Sequence, residues 1–109
     1  MKSKSIYALN LFNITSKREY LAYLKRSGEE VNTHNGKVIA IGKFKEALKG
    51  DLTPRKVMIL VEWESKEAFE NYINDPLLKE VHAHRENGSG DYIWQSFEKL
   101  EDFRPFFRD

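Results

Sequence analysis

Apolar residues occupy both alternating faces of the segment Ile6–Ile14. Ala8 and Phe12 would lie on one face of a strand, and Tyr7 and Leu9 on the other. Strands that are apolar on both faces are usually central in a sheet and covered on both sides. This pattern predicts a central first strand.

A capping box follows the first strand. The Ser16 side chain can accept from the amide three residues on, while the Glu19 carboxylate reaches back to the start of the helix. We expect the helix to end near Asn35 and Gly36, where glycine tolerates a left-handed backbone. Its apolar stripe comprises Tyr20, Leu21, Tyr23, Leu24 and Val31.

Two further strands are predicted at residues 38–44 and 56–63, separated by turn signals at residues 49–54. The earlier strand becomes polar toward its end, where Lys43 and Lys45 project from one side, as is typical of an edge strand. The later strand is apolar on both faces and is therefore predicted to be central.

The last third of the chain predicts a second helical region and a fourth strand. Ser65 can cap the helix, and Asp75 with Pro76 restarts it, because proline is well tolerated at the first helical position. The glycines at residues 88–90 should end this region, and residues 91–100 alternate again as a strand.

The order strand, helix, strand, strand, helix, strand has one common solution. It is a ferredoxin-like α+β sandwich with an antiparallel sheet in the order 4-1-3-2 and both helices on one face. The other face would then expose more apolar surface than a monomer normally tolerates. We therefore predict a homodimer formed through the open sheet face.

The composition limits the partners and the kinds of site that the chain can have. It has 109 residues, 40% of them hydrophobic and 32% charged, and a formal net charge of +1, so neither nucleic acid nor an anionic membrane is indicated as a partner. We expect one domain over residues 1–109, with its core at about residues 5–100 and an aromatic tail at 101–109. The absence of cysteine excludes disulfides, zinc knuckles, iron–sulfur ligation and a thiol nucleophile. No signal peptide or membrane span is visible, so a cytoplasmic protein without a cofactor is the default expectation.

The chain resembles the dimeric α/β-barrel superfamily and, within it, the domain-of-unknown-function family 1330. The resemblance covers roughly residues 5–98 and depends on the order and spacing of short motifs. These motifs include Tyr7, Asn35-Gly36-Lys37, Pro54-Arg55-Lys56-Val57, Glu62-Trp63, Ser65-Lys66-Glu67-Ala68, Asn74-Asp75-Pro76 and Arg85.

The resemblance implies a dimeric α/β barrel, but not one activity. The superfamily is similar in fold to cofactor-free monooxygenases, haem-degrading enzymes, isomerases and small-molecule sensor domains. Whether this chain is an enzyme therefore stays open at the level of its sequence.

His82 and Arg85 are the first candidate site residues. Three apart on a helix, they share a face and could bind a carboxylate or another anion. The competing interpretation is a solvated helix end, where both side chains favour the C-terminal dipole. His82 and His84 diverge on a helix, so no metal site is predicted.

His34 and an aromatic group complete the candidate set. His34 ends the first helix and could enter the same cleft as His82, although a role at the helix end is the simpler interpretation. Trp63 and Tyr7, together with Trp94 and Tyr92, could line a pocket for a flat organic ligand. Such residues more often fill a core or a dimer interface.

Two other features need partners. Glu62 alternates with Leu60 on the predicted central third strand, and we expect an ion pair with Arg55 or Lys56. The tail contains three phenylalanines and is too apolar to remain free in water. We expect it to pack on its own subunit or to clasp the partner.

Three functional hypotheses remain. The first is a homodimer that binds a small organic molecule, anionic or neutral, between helices and sheet. The second is a cofactor-independent monooxygenase- or isomerase-like enzyme of the dimeric α/β-barrel type. The third is a non-catalytic structural or regulatory dimer. An RNA-recognition module shares the strand order, but the third strand lacks the basic, aromatic, glycine-rich motif of those domains.

Overall fold

A computed structural model describes residues 4–108, and its elements follow the predicted order. The first half of the chain forms strand β1 (Ile6–Ile14), helix α1 (Lys17–Thr33) and strand β2 (Gly36–Lys43). An extended segment without regular structure joins β2 to the next strand. The predicted helix and strands of this half are confirmed, with β2 starting slightly earlier than expected.

The second half forms strand β3 (Val57–Trp63), helix α2 (Lys66–Asn74), helix α3 (Lys79–Gly88) and strand β4 (Ser89–Glu98). A single 3₁₀ turn, Pro76–Leu78, separates the two helices. The predicted restart at Pro76 is confirmed, while β4 begins earlier than predicted because the backbone extends directly from Gly88.

Side-chain caps start the helices where the sequence predicts them. The Ser16 hydroxyl accepts from the Glu19 amide at 3.3 Å, and the Ser65 hydroxyl accepts from the Ala68 amide at 3.1 Å. The prediction that the Glu19 carboxylate reaches back to the start of the helix is wrong. The Glu19 carboxylate instead bonds His84 at 2.9 Å, and the Ser16 amide donates to the Gly88 carbonyl.

The turn after α1 also differs from the prediction. Asn35 adopts the left-handed conformation, with a φ of 67°, whereas Gly36 already belongs to β2. Gly36 is required for space, because a Cβ built there would lie 2.7 Å from ring carbons of Trp63. Asparagine tolerates the left-handed region better than most residues, so it can make this turn.

The four strands form one antiparallel sheet in the order β2-β3-β1-β4, which confirms the predicted topology. The protein has the ferredoxin-like α+β fold, with β1 and β3 central. The principal core forms where the helices pack on one face of this sheet. Its buried residues are Ala8, Val31, Val61, Trp63, Tyr72, Leu78 and Val81.

On the opposite face of the sheet, no helix or strand among residues 4–108 forms a covering layer. Leu9 and Leu60 are register partners at its centre, and Leu11 lies opposite Met58. All four are only partly buried, and Phe97 on β4 is exposed. This apolar surface is called the open sheet face below.

The C-terminal tail leaves its aromatic side chains exposed. A 3₁₀ turn covers Arg104–Phe106, and Phe103, Phe106 and Phe107 are 72%, 67% and 82% exposed. Phe103 and Phe106 border a surface hollow together with Tyr7 and Glu98 of the sheet. The tail is therefore not buried by its own subunit, and contact with a partner stays a prediction.

Glu62 does not pair with Arg55 or Lys56 as predicted. Its carboxylate accepts from Lys99 Nζ at 2.8 Å, since the register of β1 with its two neighbours brings the end of β4 toward the end of β3. This hydrogen bond raises the pKa of Lys99. Arg55 instead donates to the carbonyl oxygens of Thr53 and Asp91.

Candidate functional site

A cavity of about 170 Å³ lies between α1 and the helix-facing side of the sheet, and we call it the α1 cavity. It exists because α1 packs mainly along α3 and only loosely against β2. Leu24, Gly28 and Ile41 line it and are exposed, so they mark its mouth between α1 and β2. Its aromatic lining residues are Tyr20, Tyr23, Trp63, Tyr72, Tyr92 and Trp94.

Two tryptophans that line this cavity have indole N–H groups without protein partners. Nε1 of Trp63 and Nε1 of Trp94 are both buried, and neither has a hydrogen-bond acceptor among the described residues. Trp63 is only 1% exposed. A buried tryptophan N–H usually finds a partner, and leaving a buried donor unsatisfied costs about 1–3 kcal/mol. Because both nitrogens are buried away from the open space, the two indole rings contribute apolar surface to the cavity wall.

The remaining polar groups of the cavity are organised by the buried residue Asn10. Its Nδ2 donates to the carbonyl oxygens of Ala8 and Ile59, and its Oδ1 accepts from the Tyr92 hydroxyl at 2.6 Å. Asn10 therefore satisfies its own polar atoms and holds the Tyr92 ring in place. It positions the cavity wall and offers little to a ligand.

Tyr23 on α1 and Tyr72 on α2 share one hydrogen bond, with 3.3 Å between their hydroxyl oxygens. Either oxygen can donate, so one of the two hydroxyl protons remains available to a third group. Burial raises the pKa of Tyr20, Tyr72 and Tyr92. The phenols are consequently neutral at ordinary pH and cannot act as strong bases.

His82 and Arg85 lie together, as their spacing predicted, but they bond each other. Arg85 Nη1 and His82 Nδ1 are 3.1 Å apart, and a guanidinium can only donate, so Nδ1 accepts. The proton of His82 must then lie on Nε2, which donates to the Tyr72 carbonyl at 3.0 Å. Burial lowers the pKa of His82, and the Arg85 charge acts in the same direction.

Arg85 is a buried cation at the edge of the cavity wall. It is 8% exposed, and its guanidinium carbon lies 4.8 Å from the centre of the Trp94 ring. It does not line the α1 cavity itself. Arg85 therefore stacks behind a residue that would contact a ligand.

His34 joins the end of α1 to the turn after α2. Its Nδ1 donates to the Glu30 carbonyl at 2.8 Å, and its Nε2 donates to Asp75 Oδ2 at 2.9 Å. Both partners accept, so both nitrogens carry protons and the ring is a cation. Burial opposes this charge, but the bonds to Glu30 and Asp75 outweigh burial and raise the pKa of His34.

The structure thus separates the predicted site residues. Trp63 lines the α1 cavity, His82 and Arg85 lie beside it, and His34 lies outside it. Tyr7 pairs with Glu62 and points to the open sheet face, because alternate residues of β1 face opposite ways. Within residues 4–108, no cluster of three metal-ligating side chains occurs.

Sequence reasoning missed Asn10 and the tyrosines of α1 and α2 as cavity residues. Asn10 carried a signal, since it is the one polar residue on the alternating face formed by Ile6, Ala8 and Phe12. The tyrosines of α1 and α2 gave no such signal, because they belong to apolar helical stripes, which usually pack in the core.

Comparison with known proteins places this chain in the class of proteins with a ferredoxin-like fold. The sequence model of the family described as domain of unknown function (DUF1330) matches residues 5–94. The chain belongs to that family, as its motifs predicted. No functionally curated protein matches it.

Solved structures share the fold of this chain. A protein of unknown function from Rhodopseudomonas palustris is 26% identical, with a TM-score of 0.80 over 93% of this chain and 86% of its own. SnoaB, a cofactor-independent oxygenase from Streptomyces nogalater, is 13% identical, with a TM-score of 0.63 over 92% of this chain and 97% of its own. A dimeric ferredoxin-like protein from Thermobifida fusca is 12% identical, with a TM-score of 0.56 over 91% of this chain and 94% of its own. The last two likenesses concern the fold alone.

Among residues 4–108, no helix is long and apolar enough to cross a membrane.

Proposed function

We propose that this protein is a homodimer that binds a small organic molecule in the α1 cavity of each subunit. The observation that carries the proposal is the α1 cavity itself, a space of about 170 Å³ that opens between α1 and β2 and is lined mainly by aromatic and aliphatic side chains. A small organic molecule would fill this apolar space.

Binding is better supported than turnover. Both ring nitrogens of His34 and of His82 are engaged within the chain, so neither imidazole offers a free lone pair at the cavity. The raised pKa values of the cavity phenols keep them neutral. A general base needs hydrogen-bond reach to the proton that it removes and an accessible basic form. Among its described residues the α1 cavity therefore offers a tyrosine hydroxyl as a donor but no base, which favours a receptor or carrier over an oxygenase or isomerase.

The homodimer is supported by the open sheet face. Its central residues, among them Leu9 and Leu60, are apolar and are not covered by their own helices. Burial of such a surface against a second copy is the common way to remove it from water. The related protein from Thermobifida fusca is described as dimeric.

Gly28 provides a direct test of binding. It lies at the mouth of the cavity, and a Cβ built there has no neighbour within 4 Å. Gly28→Phe should therefore fold normally and obstruct the cavity, while Gly28→Ala should leave it open. We expect fragments from a library of small acids, amides, ketones and alcohols to raise the melting temperature of wild type and Gly28→Ala, but not of Gly28→Phe.

Tryptophan fluorescence supplies the second measurement of the same experiment. A bound molecule should change the emission of wild type and of Gly28→Ala at the concentrations that raise the melting temperature. The proposal fails if no fragment binds, or if Gly28→Phe binds the same fragments with unchanged affinity.

A further inference from the structure

The lining of the α1 cavity carries no formal charge among the residues that the structure describes. Its side chains are aromatic, aliphatic or neutral polar, and no lysine, arginine, histidine, aspartate or glutamate belongs to it. An ion that moves from water into such surroundings loses its hydration and finds no counter-ion there, which costs far more than burial of an uncharged polar group. The lining therefore favours an uncharged ligand.

The tyrosines of the lining show how these surroundings act on a negatively charged oxygen. Burial is the largest influence on the hydroxyls of Tyr20, Tyr72 and Tyr92, and it raises the pKa of all three. The positive charge of Arg85 acts in the opposite direction and is outweighed at each hydroxyl. A carboxylate or phenolate of a ligand at the same depth would meet the same unfavourable balance.

A positively charged ligand is disfavoured for a second reason. Arg85 is 8% exposed, and its guanidinium carbon lies 4.8 Å from the ring centre of Trp94, which lines the cavity. A cation in the cavity would be repelled by this buried charge behind the wall, where water and salt screen the repulsion poorly. An uncharged molecule avoids both this repulsion and the loss of ionic hydration.

The hydroxyls of Tyr23 and Tyr72 give the cavity a polar anchor of defined chemistry. Their oxygens lie 3.3 Å apart and share one hydrogen bond, so one proton of the pair remains to be donated. The side chain of Asn10 is not available in this way, because it already bonds Tyr92 and two backbone carbonyls. A ligand oxygen that accepts from the tyrosine pair would use the remaining proton.

We propose, resting on the function proposed above, that the α1 cavity takes an uncharged, largely apolar molecule with one acceptor group, such as a ketone, ester or ether oxygen. The pair of Tyr23 and Tyr72 donates to this oxygen, and the aromatic and aliphatic walls enclose the rest of the molecule. The hydrogen bond sets the orientation of the ligand, while burial of apolar surface supplies most of the affinity.

Three planar probes of nearly equal shape test the charge of the ligand. Acetophenone is uncharged, benzoate is an anion, and benzamidinium is a cation at neutral pH. Calorimetry with the wild-type protein should show that acetophenone binds at least about tenfold more tightly than either ion. Gly28→Phe should abolish this binding and Gly28→Ala should preserve it, which locates the acetophenone in the α1 cavity.

The double substitution of Tyr23→Phe with Tyr72→Phe tests the anchor. It removes both hydroxyls together, so neither is left buried without a partner, and the fold should be retained. α-Methylstyrene is the matched probe, because it has the shape of acetophenone with a methylene group in place of the ketone oxygen. The double variant should weaken acetophenone by about threefold to tenfold and change α-methylstyrene by less than about twofold.

Infrared spectroscopy of the wild-type protein gives a second measurement of the anchor that needs no variant. A hydrogen bond weakens the carbonyl bond, so the carbonyl stretch of bound acetophenone should lie at a lower frequency than in a hydrocarbon solvent. A stretch at the hydrocarbon frequency, or an unchanged acetophenone affinity in a folded double variant, overturns the tyrosine pair as the anchor.

The outcomes separate this ligand class from the function on which it rests. Benzoate or benzamidinium that binds as tightly as acetophenone overturns the uncharged class but leaves a small-molecule site, provided that Gly28→Phe blocks it. If library fragments bind while all the probes fail, uncharged fragments support the class and charged fragments overturn it. If neither the probes nor any library fragment binds, the ligand class and the proposed function both fall.

Discussion

Gly28 and Gly36 show how one residue type can have opposite roles in this protein. Gly36 lies in β2, where a Cβ would meet ring carbons of Trp63 at 2.7 Å and a methyl carbon of Val31 at 2.8 Å. Gly28 lies within α1 and has open space at the same position. The first glycine is required by packing, and the second is not.

Replacement of each glycine by alanine should therefore change stability in opposite directions. Gly36→Ala should destabilise the fold by about 1–3 kcal/mol, because the added methyl group would overlap Trp63 and Val31 and force these buried side chains to shift. Gly28→Ala should stabilise it by up to about 1 kcal/mol, because alanine favours a helix over glycine. Denaturant unfolding measures both, and destabilisation by Gly28→Ala would show that the helix cannot accept a side chain there.

Also at the scale of single residues, Arg85 and His82 lie together as predicted, but they bond each other. Their spacing on α3 placed them together, but the hydrogen bond between them consumes the lone pair of His82 Nδ1. His82 therefore accepts from Arg85 and holds the guanidinium in place, and of the two side chains only the arginine carries a charge.

At the scale of elements, the pair of His34 and Asp75 fastens the end of α1 to the 3₁₀ turn Pro76–Leu78. The link spans 41 positions of sequence and is 2.9 Å long. Asp75 also caps that turn, since its Oδ1 accepts from the Leu77 amide. The bonds to Leu77 and His34 lower the pKa of Asp75.

The pH dependence of this link has a definite sign. The pKa of His34 is raised by folding, so its contribution is complete below the unfolded value of about 6.5 and is lost as pH rises through the folded value. The pKa of Asp75 is lowered, so its contribution is present above the unfolded value of about 3.9 and is lost as pH falls. The pair therefore stabilises the fold most between these two limits.

His34→Gln should lower the melting temperature more at pH 5.5 than at pH 8.5. Comparison of the variant with wild type at each pH cancels the titration of the other histidines. Asp75→Asn keeps the cap of the 3₁₀ turn but loses the charge, and it should remove the same pH-dependent part. A constant difference across this pH range would mean that the His34 ring is not charged in the folded protein.

At the scale of the whole molecule, the open sheet face is the surface through which we propose that the homodimer forms. Leu60 lies at its centre, opposite Leu9, in one of the two central strands. A charge introduced there would be tolerated by a single chain, in which the position reaches solvent. In a sheet-to-sheet dimer, the same charge would be buried without a partner in both subunits.

Leu60→Glu should therefore convert a dimer to a folded monomer, as measured by light scattering and circular dichroism. Leu77→Glu is the matched control, since Leu77 is exposed and lies on the 3₁₀ turn away from the sheet. It should leave the mass unchanged. A monomeric wild type, or a Leu60→Glu variant that stays dimeric, would contradict assembly through this face.

Local patterns in the sequence determined the elements and the topology. These patterns depend only on neighbours within a few residues, so a single sequence displays them. They are the alternation in Ile6–Ile14 and in the third strand, the serine caps, and the restart of the helix at Asp75-Pro76. Together with the rules for unknotted crossovers, they led to the observed order β2-β3-β1-β4. The family followed from the same motifs.

Only the tertiary structure reveals where the candidate site lies. The α1 cavity is the space left between side chains of α1, α2 and all four strands, so no local pattern reveals it. The partners of Glu62, His34 and His84 lie 37, 41 and 65 positions away along the chain, beyond what spacing can predict. The sequence by itself thus determined which faces are apolar and in what order they pack. Long-range packing decided which polar atoms are satisfied, and it left the two indole N–H groups without an acceptor among the described residues.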